Sequence, residues 1–99
     1  MNLYEIILPC TDNDGREIEP EKYEETLREL IHHFGGAEFE RSSFSGYWQD
    51  EPDLYEDDNV LMRVEASDDS DFWSHYKEVL KTRFRQEEIR IRVIPLTIV

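Results

Sequence analysis

Apolar and polar residues along this chain fall into four short runs of strand type and two longer runs with the helical repeat. Leu3 to Leu8 is almost continuously apolar and is bounded by Pro9. That is the pattern of a strand buried on both faces, and so of a central one. Tyr23, Leu27, Leu30, Ile31 and Phe34 follow at helical spacing. Pro20 stands at the first turn of this helix, glutamates gather at its positive end, and Gly35-Gly36 stops it. Ala37 to Gln49 predicts a second strand whose apolar parity changes between Phe39 and Phe44. A bulge at Arg41-Ser42-Ser43 would set Phe39, Phe44 and Trp48 together against the helices. The turn Asp50-Glu51-Pro52-Asp53 leads into a third strand, regular from Val60 to Ala66, whose even positions face the core. Asp68, Asp69 and Asp71 open a second helix with the stripe Phe72, Tyr76, Val79, Leu80 and Phe84, and Lys81, Arg83 and Arg85 lie near its end. Glu88 to Ile94 closes the chain as a strand, with Pro95 marking an edge.

Two βαβ halves in one domain, residues 1–99, predict an α+β sandwich of the ferredoxin-like kind. It has a four-stranded antiparallel sheet of order 4-1-3-2 with both helices on one face. The opposite, open face is expected to carry Glu5, Arg63, Glu65, Arg90 and Arg92, with Leu3, Ile7, Leu61 and Tyr47 between them.

Charge changes the picture. The net charge is −13, and residues 1–58 hold 17 acidic against 4 basic side chains, whereas residues 59–99 hold 7 of each. The whole excess therefore sits on the first helix, its approach loop and the central hairpin. Such a field repels nucleic acid and anionic membranes and suits a basic protein partner. No apolar stretch approaches the length of a membrane span. The start of the chain lacks the basic segment of a secretory leader, and lone Cys10 has no internal disulfide partner, so a cytoplasmic setting is expected.

Candidate chemistry is sparse. Thr11 to Gly15 begins like a calcium loop, but the glycine comes too early and Arg16 stands where a third oxygen ligand belongs, so a tight turn is expected. The acidic run from Asp50 to Asp58 matches no loop spacing. His32, His33 and His75 share no ligand spacing with Cys10, so no metal is expected. Ser42, Ser43 and Ser45 lack a nucleophile elbow, Cys10 lacks a basic neighbour, and there is no phosphate-cradling glycine loop. No catalytic residue and no cofactor are expected. The one surface to suspect is the aromatic hairpin. Phe44, Tyr47, Trp48 and Tyr55 would wall a pocket there, with Arg41 and Arg63 offering positive charge to an acid group.

Phe34-Gly35-Gly36, the pair Gly46 and Trp48, Tyr55 with its acidic neighbours ahead of Asn59-Val60-Leu61, and the run Lys81 to Glu87 span most of the chain. With these motifs it resembles a group of small uncharacterised bacterial proteins, cyanobacterial ones among them. The resemblance implies a ferredoxin-like fold and no activity. The reading that follows is a small acidic interaction domain, non-catalytic and homodimeric, with a small-molecule binder or enzyme at Trp48 as the alternative.

Overall fold

The computed structural model describes residues 1–99. Six elements follow in the expected order: β1 (Asn2–Pro9), α1 (Pro20–Phe34), β2 (Glu38–Asp50), β3 (Asp53–Ala66), α2 (Ser70–Arg83) and β4 (Arg90–Pro95). The sheet runs β2-β3-β1-β4, the 4-1-3-2 order read from the other edge, and every pairing is antiparallel. The most apolar strand therefore sits between β3 and β4, where both its faces are covered or crowded by side chains.

Both helices pack on one face. Tyr4, Ile6 and Leu8 of β1 join Val60, Met62 and Val64 of β3 under Leu30 of α1 and under Trp73, Tyr76 and Leu80 of α2, with Phe84 and Ile89 closing the end. Trp73 lies outside the expected α2 stripe, yet it is buried and stacks on Tyr4 at 4.5 Å and on Phe34 at 5.3 Å. Ile31, expected in the α1 stripe, is exposed, and Thr26 is buried there instead with its hydroxyl donating to the Lys22 carbonyl at 2.8 Å. Glycine at 35 takes a left-handed φ of 85° and donates its N–H to Ile31 O, ending α1 as the sequence indicates. Asp69 caps α2 by accepting the Phe72 N–H.

The helices are also joined by a polar clasp. Arg83 donates to Glu29 at 2.8 and 2.9 Å and to the Thr26 hydroxyl at 2.9 Å, and Tyr76 donates its hydroxyl to Glu29 at 2.8 Å. The open face is laced in turn. Glu5 on β1 pairs with Arg63 on β3 at 3.2 Å and with Arg92 on β4 at 3.3 Å, and Arg63 reaches Glu40 on β2 at 2.6 Å. One carboxylate thus connects to all four strands. No helix is long and apolar enough to cross a membrane.

Candidate functional site

The hairpin departs from the expected placement. β3 is continuous from Asp53, so the strand that follows the turn takes in the acidic stretch ahead of its regular part. Its neighbour β1 pairs with it only from Asn59 to Ala66. Beyond that point β2 and β3 pair only with each other, in a two-stranded ribbon from Phe44↔Asn59 to Asp50↔Asp53. The ribbon gives the molecule its long dimension, 44 Å against 28 and 26 Å.

The bulge also differs from expectation. Glu40 pairs with Leu61 and Phe44 with Asn59, so the register moves by two residues, not one. An even shift keeps alternate side chains on their original sides. Phe39 faces the helices and stacks on Tyr23 at 5.9 Å. Phe44 and Trp48 fall on the opposite, open side, 37% and 49% exposed, so they do not complete the core. Tyr47 falls on the helix side of the ribbon, not on the open face.

The other five suspected residues separate accordingly. Trp48 and Tyr55 are register partners and stack at 4.4 Å and 15°. The Trp48 indole N–H donates to Asp57 Oδ2 at 2.6 Å. Tyr47 points away from them and donates its hydroxyl to Glu56 at 3.4 Å. Arg41 lies over the Phe39 ring at 4.4 Å and reaches Glu24 of α1 at 3.5 Å. Arg63 sits eight residues along β3 from Tyr55, about 26 Å for a strand, and is held by Glu5 and Glu40. Neither arginine approaches the aromatic pair.

Other residues take their place. A cleft of about 530 Å³ lies on the open face beside Trp48, with Ile7, Phe44, Gly46, Asn59, Arg90 and Arg92 in its lining. A second cleft, about 500 Å³, lies on the Tyr55 side. Its far wall is made of Pro9 to Asn13 and Gln86 to Glu88. Both volumes fall within the usual range of ligand sites. Gly46 leaves the floor between Phe44 and Trp48 low, and a Cβ there would stand 3.3 Å from Asn59 Nδ2.

The far wall is built around Asp12. Its carboxylate accepts the N–H groups of Asp14 and Arg16 at 2.9 and 3.0 Å, which closes the turn that Gly15 completes at φ 79°. Arg85, itself at φ 54°, donates to Asp12 at 2.9 Å and to both oxygens of Glu19. Gln86 donates to the Thr11 carbonyl at 3.2 Å. Burial pushes the Asp12 carboxyl up, but the Arg16 N–H, the Arg85 guanidinium and the Asp14 N–H outweigh it and hold the pKa down to about 2. Sequence reasoning found the turn but missed this wall, because Asp12 and Arg85 are 73 residues apart.

No group of three or more His, Cys, Asp or Glu side chains is arranged to hold a metal ion. His33 stacks on Phe72 at 4.1 Å, with Nε2 3.6 Å from Asp69. Ser45 donates to Asp58 at 3.2 Å on the exposed ribbon. Burial, and then the charge of Asp58, raise the Cys10 thiol pKa, the wrong direction for a reactive thiolate.

No protein-family model and no curated protein sequence matches the chain, so the resemblance to small bacterial proteins is carried by the motifs alone. Solved structures do match. The divalent cation tolerance protein CutA1 of Thermus thermophilus superposes with a TM-score of 0.68 at 14% identity, over all of this chain and 87% of that one. CutA of Pyrococcus horikoshii gives 0.63 at 18% identity, again over all of this chain and 87% of the other. A phage S-adenosylmethionine lyase, solved with S-methyl-5'-thioadenosine, gives 0.64 at 16% identity over 93% of this chain and 78% of that one. What this chain shares with these proteins is its ferredoxin-like fold.

Proposed function

We propose that this chain is a small interaction module without a catalytic centre, and that it self-associates through the outer half of the β2–β3 hairpin. The observation that carries this reading is the ribbon itself. A two-stranded ribbon alone in water is marginal, yet this one holds apolar side chains out on both faces. On the helix side Tyr47 is 66% and Leu54 71% exposed. They are diagonal neighbours there, since Tyr47 pairs with Glu56 and Gln49 with Leu54. Such a patch marks a contact surface, and a second copy offers the same patch in return.

The net charge gives the association a signature. Two copies at −13 repel each other, so screening should strengthen their contact. Sedimentation velocity at micromolar protein should show a larger species whose share grows as salt rises from about 0.1 to about 1 M. Leu54→Glu should abolish it while leaving the circular dichroism spectrum intact. A wild-type chain that sediments as a monomer at every salt concentration overturns the reading.

A second reading is favoured by the two clefts that meet at Trp48. Each is large enough for a ligand, and each is walled by a ring and by polar groups. This reading gives the ribbon a binding role that does not depend on Leu54, although Tyr47 joins the lining of the cleft on the Arg90 side.

A further inference from the structure

The Tyr55-side cleft has an unbalanced charge. Asp12, Asp57, Asp58, Glu87 and Glu88 line it, and no lysine or arginine does. Asp12 is neutralised by Arg16 and Arg85, and Glu88 by Lys77 at 3.0 Å. The other three have no cationic partner: none of the chain's ion pairs uses Asp57, Asp58 or Glu87. Asp57 accepts from the neutral Trp48 indole and Asp58 from the neutral Ser45 hydroxyl, so neither carboxylate has a cation beside it. Three uncompensated carboxylates therefore surround the half-exposed rings of Trp48 and Tyr55.

We propose that this cleft receives an arginine side chain from a basic protein partner, its guanidinium laid against the aromatic pair and paired with Asp57 and Glu87. The proposal rests on reading the chain as an interaction module, and it uses the ribbon face opposite Tyr47 and Leu54. Charge complementarity selects the occupant. The acidic half of the chain draws a basic segment in from a distance, and the cleft supplies local carboxylates. Arginine suits it better than lysine, because a flat guanidinium stacks on a ring while its N–H groups fork onto carboxylates, and it sheds its hydration more readily. On the other side of Trp48 the cleft lining mixes Arg90 and Arg92 with Asp57 and Glu88, so the Tyr55 side, which no lysine or arginine lines, is the more acidic of the two. An acidic residue next to the arginine in the partner would meet Arg90.

The test uses the full chain and a short peptide of alternating Arg and Gly, read by NMR of the two tryptophan indole N–H resonances. Trp48 is exposed and Trp73 buried, so one resonance reports on the cleft and the other on the core. The Trp48 resonance should move saturably while that of Trp73 stays. The same peptide with citrulline in place of arginine should not bind. High salt should weaken binding, the opposite of its effect on self-association. Glu87→Gln keeps every hydrogen bond of the hairpin, since Glu87 makes none with it, and together with Asp57→Asn it should weaken binding about tenfold or more. Leu54→Glu should leave the titration unchanged, so failure of self-association and failure of this site read out separately. Equal binding of the citrulline peptide, an unmoved Trp48 resonance, or an undiminished titration in Glu87→Gln/Asp57→Asn overturns the proposal. So does binding of free agmatine as tight as that of the peptide, which would make this a site for small organic cations.

Discussion

Arg83, in the last turn of α2, grips Glu29 of α1 through two N–H···O bonds of 2.8 and 2.9 Å. Its side chain is only 10% exposed, while that of Glu29 remains partly in water. Removing the Glu29 carboxylate leaves this shielded cation with Glu25 alone, at 3.4 Å, for a counter-charge; removing the cation leaves Glu29 in water with the Tyr76 hydroxyl. Glu29→Ala is expected to cost about 1–2 kcal/mol, between the values for exposed and buried pairs. Arg83→Met, which keeps the packing of the stem, should cost less. Urea titrations of the two variants check this, and equal losses would show that the clasp's charge is irrelevant.

Acid should loosen the wall opposite Trp48. The Asp12 pKa is about 2 in the folded chain against an ordinary 3.8. A lowered folded value means that the unfolded chain binds the proton more readily. The contribution is full above about pH 4 and is lost as pH falls towards about 2. Glu29, whose carboxyl is lowered chiefly by Arg83, and Glu88, lowered chiefly by Lys77, act in the same sense. Acidification also relieves repulsion among the many carboxylates, so the cleaner readout is a difference. Asp12→Asn keeps an acceptor for the turn and should flatten the fall in urea midpoint between about pH 4 and pH 2.

Trp73 presents an unusual economy. Its ring packs against those of Tyr4, Phe34, Phe72 and Tyr76, yet its buried indole N–H finds no acceptor. Trp73→Phe discards that orphaned donor and keeps a ring, so it should cost less than about 1.5 kcal/mol. Trp73→Ala should cost about 3–5 kcal/mol. A Phe variant as unstable as the Ala variant would indicate that ring size, not ring stacking, is what the site needs.

Gly35 holds the end of α1 in left-handed backbone with free space where a Cβ would be. Gly35→Ala should therefore cost about 1 kcal/mol from backbone strain alone. Thermal unfolding of Gly35→Ala beside Gly36→Ala separates the two, since Gly36 has no left-handed φ and equal space.

What the sequence makes legible is whatever repeats. The apolar run at Leu3–Leu8, the glycine stop at 35 and the alternation from Val60 to Ala66 gave the elements and, through the burial of β1, the strand order. The hairpin resisted because its periodicity is real but its side is not written in it. Phe44 and Trp48 look like core residues by composition, and only the size of the register shift at Arg41–Ser43 decides which face they occupy. Acidic residues from Asp53 to Asp58 obscure how regular the start of β3 is, since the strand there is supplied by pairing with β2, not by the propensity of the residues themselves. Arg41 and Arg63 were drawn to Trp48 by sequence proximity, whereas nearer carboxylates, Glu24, Glu5 and Glu40, claim them.

The order β2-β3-β1-β4 has a consequence for how the chain is made. Of the four strands of the sheet, the earliest in the chain is the one that ends in the middle, and both its edges wait for partners encoded much later. β3 supplies one only after the long hairpin has formed, and the six residues of β4 supply the other at the end. Until Arg90–Pro95 leaves the ribosome, an apolar strand stands with an open edge, the condition most prone to pairing with the wrong chain. Glu5, whose carboxylate awaits Arg63 and Arg92 together, places a charge in the middle of that strand during the interval.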